Sequence, residues 1–332
     1  MADADSIVKE EENVLIQTAH CSVTILPHLG GKVASIRVKG RELLQAPLAP
    51  LAPRTHTMPF DAADASGWDE CLPSVAGCRV ETAAGPAEVP DHGDLWRVAW
   101  EMQGTGNREQ GIGLSRAGDV ETITLRGKCF SLPLALERTL TLTESAKSVQ
   151  LSLKYTLTNT GSHPTPWSWA VHPLFAVEPG DRVELPDSIG TLRVEGSGGK
   201  RLGLGGDTIA WPMAALAGGG TTDLRVVQSA ETGIGDKLFA GPLSAAENWC
   251  AIHRPGAGVR IKFGFDPAAT PYLGLWICYG GWPDRSGPKQ MCVAPEPSTA
   301  PVDSLAVPGA WSRVLAPGES FSWPMTVEIE LL

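Results

Sequence analysis

The amino-acid sequence predicts an all-β protein built as a large antiparallel β-sandwich. Three observations support this prediction: apolar and polar residues alternate over most of the chain, turn signals recur at short intervals, and amphipathic helical patterns are scarce. Alternation with a period of two is typical of strands that bury one face. The 332 residues include 37 glycines and 27 prolines, which provide for many turns. We expect one domain over residues 1–332, with a flexible N-terminus at residues 1–13.

Alternating segments occur from one end of the chain to the other. In VQLSLKYTLTN, residues 149–159, apolar residues occupy the odd positions from Val149 to Leu157 and polar residues lie between them. The preceding segment turns at ESAKS, so residues 138–157 form a predicted hairpin. Pro324 interrupts the last alternating segment and indicates an edge strand or a bulge. Further strands are predicted within residues 14–44, 258–267, 272–282 and 320–332.

Composition and charge exclude several classes of partner. The net charge is −10 and the pI is about 5.2, whereas nucleic-acid binding needs a basic face. No apolar run is long enough to cross a bilayer, and the acidic N-terminus has no apolar signal region. The seven cysteines form no CxxC pair and match no zinc pattern, which indicates buried free thiols. We expect a cytoplasmic monomer or homodimer whose partner is a small molecule, not nucleic acid or a membrane.

Two long connections lie between the predicted strands. Residues 196–207 are rich in glycine, but their lysine precedes Arg201 rather than Ser or Thr, so they do not form a phosphate-binding loop. We interpret them as a surface loop. Residues 45–67 are rich in alanine and proline, and long loops in compact β domains often carry function.

Three segments combine titratable residues with aromatic ones: residues 67–100, 167–186 and 275–305. Such a mixture suits a sugar site, because an indole face packs against the C–H face of a pyranose while polar groups bind its hydroxyls. Packing in the core explains each tryptophan equally well when it is taken separately. The tryptophans concerned are Trp68, Trp96, Trp100, Trp167, Trp169, Trp276 and Trp282.

His172 lies in an otherwise apolar run, WSWAVHPLF, directly before Pro173. Alternation places the two tryptophans and Val171 on one side of this strand, and Ser168, Ala170 and His172 on the other. A buried histidine of this kind is most often a hydrogen-bonded core residue. On the side with the small residues, however, the imidazole has room for a ligand beside it.

Short motifs occur along the chain in a characteristic order. They are HG with a following tryptophan at His92-Gly93 and Trp96, NTG…P…W…HPLF at 159–175, GDKLF at 235–239, EP at 296–297, and LxPGE at 315–319. Together they resemble the aldose 1-epimerase, or galactose mutarotase-like, superfamily from about residue 14 to the end of the chain. Each motif alone is weak, and their order makes the signal specific. The resemblance implies a single β-supersandwich domain that interconverts sugar anomers with no cofactor and no metal.

The resemblance also implies a role for individual residues. His172 stands where the family has its general acid, and Glu296 stands where it has its general base. His92 matches the histidine that contacts the sugar. Asp236 in DKLF fits the substrate-binding aspartate of the family loosely, and Lys237 stands where the family often has histidine.

The chain departs from the family pattern at GWDECLP, residues 67–73. Galactose mutarotases have a G-R-x-x-N-R stretch there, which contains a sugar-binding arginine. We expect Trp68, Asp69 and Glu70 to occupy that part of the pocket, and Trp276 or Trp282 to stack on the sugar ring. The resemblance therefore does not establish galactose as the substrate.

Mutarotation has simple chemical requirements. One proton leaves the O1 hydroxyl, another reaches the ring oxygen, and a carboxylate with an imidazolium is sufficient for both transfers. A neighbouring carboxylate favours the charged imidazolium, whereas apolar surroundings disfavour it. We predict that His92, His172 and Glu296 converge on one cleft, with His172 and Glu296 about a sugar's width apart.

Two other functions remain open from the sequence. A carbohydrate-binding sandwich without turnover would keep the pocket and lack the catalysis. His92-Gly93-Asp94 is also an H-x-D pattern, which with His172 or His253 would form the two-histidine, one-carboxylate site of an iron oxygenase. Anomer exchange separates an epimerase from a binding protein, and metal analysis separates the oxygenase from both.

Overall fold

A computed structural model describes residues 13–103, 114–117 and 120–332. The expected flexible segment at residues 1–13 falls, apart from Asn13, outside the described residues. The structure confirms the all-β antiparallel prediction. In chain order the strands are β1 (Val14–Gln17), β2 (Cys21–Leu26), β3 (Lys32–Val38), β4 (Arg41–Glu42), β5 (Trp68–Cys71), β6 (Cys78–Thr82), β7 (Gly85–Val89), β8 (Glu101–Gln103), β9 (Leu114–Ala117), β10 (Val120–Lys128), β11 (Leu134–Glu144), β12 (Ser148–Asn159), β13 (Thr165–Trp167), β14 (Ala170–Pro173), β15 (Phe175–Ala176), β16 (Arg182–Glu184), β17 (Thr191–Ser197), β18 (Thr208–Ala210), β19 (Met213–Ala215), β20 (Thr221–Asp223), β21 (Ile234–Ala240), β22 (Trp249–Arg254), β23 (Val259–Phe265), β24 (Tyr272–Tyr279), β25 (Met291–Ser298), β26 (Arg313–Leu315) and β27 (Ser320–Leu331).

The helical part of the described chain consists of short 3₁₀ turns. None of them is long or apolar enough to span a membrane, within the residues that the structure describes. The turns are Pro27–Leu29, Phe60–Ala62, Leu95–Arg97, Gly198–Lys200, Ala230–Thr232 and Pro255–Ala257.

Two large sheets contain most of the strands. The twelve-stranded sheet has the order β1-β2-β3-β5-β14-β25-β24-β21-β17-β18, with β4 beside β3 and β15 beside β25. The nine-stranded sheet has the order β16-β22-β23-β27-β12-β11-β10-β8, with β9 beside β10. One apolar cluster contains the alternate residues of both sheets, for example Val23 and Leu275 of the first and Leu151 and Val327 of the second. The sheets therefore pack face to face, as a sandwich does.

Aromatic side chains link the two sheets near β14. Trp169, just before β14, lies edge-on to Trp323 of β27 with ring centroids 5.0 Å apart, and Tyr155 of β12 stacks on Trp323 at 5.4 Å. Aromatic pairs at these separations add about 0.5–1.5 kcal/mol each beyond their buried area. This cluster fixes the start of β14, the strand that carries His172.

Pro324 lies in an interior strand, which corrects the expectation of an edge strand there. β27 pairs with β12 along Pro324, where the partner is Lys154, but its pairing with β23 ends at Met325 and Phe265. On the β23 side the position is therefore free of ladder hydrogen bonds. A proline, which has no N–H to donate, is accommodated there for that reason.

Candidate active site

Five neighbouring strands of the twelve-stranded sheet carry the candidate site. They are β5, β14, β25, β24 and β21, in that spatial order. Because successive side chains of a strand point to opposite faces, the residues that alternate with the core positions lie on the outer face. His172, Glu296, Trp276 and Lys237 share that face, one on each of four adjacent strands.

A cleft of about 410 Å³ opens on this outer face. Its walls combine aromatic rings with carboxylates, imidazoles and one ammonium group. The aromatic lining residues are Phe60, Trp276 and Trp282, and the polar ones are Asp61, Asp91, His92, His172, Lys237, Gln290 and Asp303.

Glu296 lies at the floor of the cleft and is fully buried. Its Oε1 atom is 2.9 Å from Nδ1 of His172, and its Oε2 atom accepts a hydrogen bond from the ammonium of Lys237. The same ammonium is 3.4 Å from a carboxylate oxygen of Asp303. Both carboxylate oxygens of Glu296 are thus engaged by groups that line the cleft.

The electrostatics of this group favour one arrangement of protons. Burial raises the pKa of Glu296, but the charges of Lys237 and His172 and their hydrogen bonds outweigh it and lower the pKa to about 2. Burial lowers the pKa of His172, with Glu296 opposing that shift. The pKa of Lys237 is raised, because its two carboxylate neighbours outweigh burial. At neutral pH we therefore infer an ionised Glu296 and a neutral His172 that donates its Nδ1 proton to it, which leaves Nε2 as an acceptor.

His92 enters the cleft from the loop after β7. Its ring stacks on Phe60 with centroids 3.8 Å apart, and lies 5.3 Å from the ring of His172. Its Nδ1 atom is 2.8 Å from the carboxylate of Asp91. The backbone at His92 has a φ of 59°, and Gly93 continues the turn at 68°. A side chain at Gly93 would collide with the carbonyl oxygen of Leu72, so the turn requires glycine at this position.

The long connection at residues 45–67 forms one wall, where Phe60 and Asp61 lie. A buried charge cluster anchors the connection to the sheet. Lys32 Nζ lies 3.0 Å from Asp64 and 2.7 Å from Asp69, and Arg54 lies 2.6 Å from Asp64. Although burial opposes it, the charges of Lys32 and Arg54 lower the pKa of Asp64 to about 2. Charged side chains of the connection, Arg54 and Asp64, are thus joined by ion pairs to Lys32 of the sheet, beneath the wall of the cleft.

Comparison with solved structures places this geometry in a known fold. A protein from Synechocystis sp. PCC 6803 superposes with a TM-score of 0.69 at 16% identity, over 100% of both chains. A candidate aldose 1-epimerase from Escherichia coli K12 has a TM-score of 0.64 at 18% identity, over 97% of this chain and 99% of its own. A galactose mutarotase-like protein from Lactobacillus casei ATCC 334 has a TM-score of 0.59 at 18% identity, over 96% and 100%. The chain has the galactose mutarotase-like fold.

The likeness lies in structure rather than in sequence. No protein-family model matches the chain, and no curated protein matches it in sequence. The galactose mutarotase-like fold that the motif order predicts is confirmed by the structures. At these identities the fold is what is shared, and the activity has to be argued from the residues of the cleft.

Several expected site residues reach the cleft of this mutarotase-like fold. His92 and His172 line it, and Glu296 contacts His172 from beneath, so the three residues converge as predicted. Trp276 and Trp282 also line it. Trp276 is held by a 2.9 Å hydrogen bond from its indole N–H to Gln290.

The expected separation of His172 and Glu296 is wrong. The two side chains are hydrogen-bonded at 2.9 Å, and no space for a sugar lies between them. They form one hydrogen-bonded pair and do not face each other across a space the size of a sugar.

Trp68 and Glu70 do not line the cleft, because alternation along β5 turns both toward the second sheet. Trp68 is fully buried near Phe263 of β23, with ring centroids 6.4 Å apart. Glu70 pairs with Arg138 of β11 at 3.0 Å and accepts a hydrogen bond from Tyr155 at 3.0 Å. The structure corrects the expectation that these two residues occupy the pocket, and assigns them to the core.

Asp69 and Asp236 are also bound elsewhere. Asp69 lies on the cleft side of β5, but it is 2% exposed and pairs with Lys32 at 2.7 Å. Asp236 faces the core side of β21, where Arg201 Nε donates to it at 2.8 Å and Ser197 at 2.7 Å. Neither lines the cleft, which corrects the expectation of substrate contacts from both.

Sequence reasoning did not select Lys237, Asp303 or Gln290 as site residues. Strand alternation was a usable signal for Lys237, because a core-facing Asp236 sends its neighbour to the outer face. Asp303 and Gln290 lie in the candidate segment 275–305, but both are outside regular strands, so alternation gives no direction for their side chains.

The H-x-D metal site is not assembled. One oxygen of Asp94 accepts hydrogen bonds from the backbone N–H groups of Phe130 and Ser131, at 3.0 and 2.8 Å. His253 lies on β22, in the other sheet. Among the described residues no group of three or more His, Cys, Asp or Glu side chains is arranged to hold a metal ion.

Proposed function

We propose that the protein binds a monosaccharide in this cleft and interconverts its α and β anomers. The observation that carries the proposal is the hydrogen-bonded pair of His172 and Glu296 at the floor of a cleft walled by Trp276 and Trp282. A paired imidazole can exchange protons with a ligand, and indole rings can pack against a pyranose. The mutarotase-like fold supports the same function, since solved relatives include a candidate aldose 1-epimerase.

The pair supplies one of the two proton transfers that mutarotation requires. Nε2 of the neutral His172 takes the proton of the O1 hydroxyl while the sugar ring opens. The imidazolium formed in this way is stabilised at Nδ1 by the ionised Glu296. After rotation about the C1–C2 bond, the same proton returns to O1 as the ring closes on the other face.

This assignment differs from the roles that the sequence resemblance implies. In the resemblance Glu296 is the general base and His172 the general acid. Here Glu296, whose pKa is lowered to about 2 by Lys237 and His172 against the effect of burial, is a weak base. His172, whose pKa is lowered by burial, is seldom an imidazolium before it meets the substrate. Both residues remain in the proposed catalytic pair. What differs from the resemblance is the role of each: His172 starts neutral and acts as the base, and the ionised Glu296 stabilises it.

A second candidate is a sugar-binding protein without turnover. The observation that favours it is that both oxygens of Glu296 are already bonded, to His172 and to Lys237. Such a carboxylate can be purely structural, and the cleft would still bind a ring against its indoles. Catalysis and binding must therefore be measured separately.

Exchange spectroscopy by NMR on a panel of hexoses, pentoses and uronates tests the proposal. We expect the wild type to accelerate α–β exchange of at least one sugar, and Glu296→Gln to slow it by about 10²- to 10⁴-fold. Glu328→Gln, at a carboxylate of β27 in the other sheet, is the matched control and should exchange at the wild-type rate. Line broadening of a sugar without any faster exchange would contradict the enzyme and support the binding protein.

A further inference from the structure

Lys237 occupies a central place in the cleft that the His172–Glu296 pair does not explain. It lies on β21, and alternation sends its side chain to the outer face of the sheet. It is 8% exposed and lines the cleft. Among the described lining residues it is the one permanent cation, beside three carboxylates and two imidazoles. A buried, fixed ammonium group at a ligand cleft is a candidate for chemistry as well as for ion pairing.

The ammonium has hydrogens left to donate to a ligand. A lysine ammonium carries three hydrogens. One is donated to Glu296, and the ammonium also forms an ion pair with Asp303, whose carboxylate oxygen is 3.4 Å away but accepts no hydrogen bond. Among the residues that the structure describes no further acceptor is bonded to the ammonium, and the side chain borders the open cleft. A hydroxyl or ether oxygen of a bound molecule can accept a hydrogen bond from it.

The proposed anomer exchange needs a proton donor that His172 does not provide. Its Nε2 atom is the acceptor for the O1 proton, and its Nδ1 proton is held by Glu296. The indole N–H of Trp276, which also lines the cleft, is bonded to Gln290 at 2.9 Å. We propose that Lys237 is a catalytic residue of this reaction and that its ammonium donates a proton to the ring oxygen. This inference rests on the proposed function.

The step balances without any further reactant. The O1–H bond breaks, its proton goes to Nε2 of His172, and its electron pair forms the C1=O1 double bond. The C1–O5 bond breaks with its electron pair on O5, and O5 takes a proton from Nζ of Lys237. After rotation about C1–C2, the amine takes the proton back from O5 and the imidazolium returns the other to O1.

The surroundings of Lys237 suit this cycle. The carboxylates of Glu296 and Asp303 outweigh burial and raise its pKa, so that it is charged before the sugar binds. Donation from so weak an acid is still favourable, because an alkoxide leaving from C1 is a much stronger base than an amine. The proton therefore moves only as the C–O bond breaks, which is when it lowers the barrier.

Three measurements on variants separate donation from simple charge pairing. Lys237→Arg keeps the positive charge and the hydrogen bonds, but a guanidinium is not deprotonated in proteins. Lys237→Ala removes the donor and leaves room for a small amine. Lys262→Arg and Lys262→Ala, on β23 in the other sheet, are the matched controls. Each variant is assayed for sugar affinity by tryptophan fluorescence, for anomer exchange by NMR, and for melting temperature.

We expect Lys237→Arg to bind sugar within about threefold of the wild type and to exchange anomers about 10²- to 10⁴-fold more slowly. Ethylamine should restore exchange in Lys237→Ala in proportion to its concentration, and should leave the controls unchanged. An active Lys237→Arg, or a folded and sugar-binding Lys237→Ala that ethylamine does not restore, overturns the role of Lys237 alone. A wild type that exchanges no sugar overturns the proposed function as well. If Lys237→Ala does not fold, Lys237→Arg decides the question.

Discussion

Nδ1 of His172 and Oε1 of Glu296 lie 2.9 Å apart at the floor of the cleft, although 124 positions separate the two residues along the chain. The contact arises because β14 and β25 are neighbours in the twelve-stranded sheet and both side chains lie on its outer face. The pair shares one proton, and where that proton lies determines whether His172 starts the reaction as a base or as an acid.

Nitrogen-15 NMR of the imidazoles identifies the starting state of His172. We expect a neutral ring with the proton on Nδ1 at pH 7, because burial lowers the pKa of His172 and the ionised Glu296 accepts the Nδ1 hydrogen bond. His172→Gln identifies the resonance. An imidazolium at pH 7, with both nitrogens protonated, would contradict this state and restore the general-acid role that the sequence resemblance implies.

The same pair predicts a loss of stability in acid. The folded-state pKa of Glu296 is about 2, below its ordinary value of 4.5, so folding favours the ionised form. Its contribution, on the order of 3 kcal/mol, is complete above about pH 4.5 and is lost as the pH falls toward 2. His172 acts in the same direction below about pH 6.5, because its pKa is also lowered by folding.

Urea unfolding at pH 7, 5.5, 4 and 3 measures this dependence. As the pH is lowered, the free energy of unfolding should decrease more steeply in the wild type than in Glu296→Gln. The two slopes should differ below pH 4.5. Glu328→Gln serves again as the control and should follow the wild type. Equal pH dependences of the wild type and Glu296→Gln would show that Glu296 is not held ionised by its neighbours.

Strand alternation in the sequence was enough to predict the all-β antiparallel fold class and the face of the sheet on which His172 lies. The tryptophans of WSWAVHPLF pack in the core and His172 points to the cleft, as their positions indicate. At GWDECLP the expectation came from the family resemblance and placed three consecutive residues in the pocket. Successive residues of a strand point to opposite faces, so Trp68 and Glu70 lie in the core and only Asp69 lies on the cleft side.

Side-chain contacts between segments that are distant along the chain could not be predicted from the sequence. The pairing of Lys237 with Glu296 requires the order of β25, β24 and β21 in the sheet, which no local pattern contains. The placement of Asp303 depends on a loop that packs through its backbone, whose carbonyl accepts from Val75 and Ala76. Charge networks of this kind follow from the fold and could not be used to predict it.

Substitutions at the buried ion pair of Glu70 and Arg138 should lower the stability of the protein without changing its sugar site. Arg138→Met leaves the Glu70 carboxylate buried without its cation and should cost about 3–5 kcal/mol. Tyr155→Phe, which removes one hydrogen bond to Glu70, should cost about 1 kcal/mol. Urea unfolding gives both values. The sugar affinity of the folded protein should not change in either variant, and a weakened affinity would return Glu70 to the binding site.

Trp276 should contribute to sugar binding more than to turnover. It lines the cleft, and its indole N–H bonds to Gln290, which holds the ring in place. Trp276→Phe should weaken sugar binding by about two- to tenfold, because stacking of this kind is worth about 0.5–1.5 kcal/mol. The maximal exchange rate should change little, since stacking acts on ground state and transition state alike. Trp249→Phe, in β22 of the other sheet, is the control, and an equal effect there would argue against stacking at Trp276.

The charge of the cleft predicts a preference for neutral sugars. Asp61, Asp91 and Asp303 line it with Lys237 as the one permanent cation among the described lining residues, and the buried Glu296 adds a further negative charge. Like charges repel a phosphate, and salt screens exposed charges of this kind. A neutral hexose should therefore be exchanged with a higher kcat/KM than its 6-phosphate, and the difference should shrink as salt is raised.

Asp61→Asn should raise kcat/KM for the 6-phosphate by about two- to tenfold at low salt and leave the neutral hexose unchanged, because a nearby exposed charge acts mainly on a charged ligand. Asp187→Asn, at a residue that does not line the cleft, should change the exchange of neither sugar. Equal exchange of the two sugars at low salt would mean that the phosphate is bound away from these carboxylates, outside the cleft.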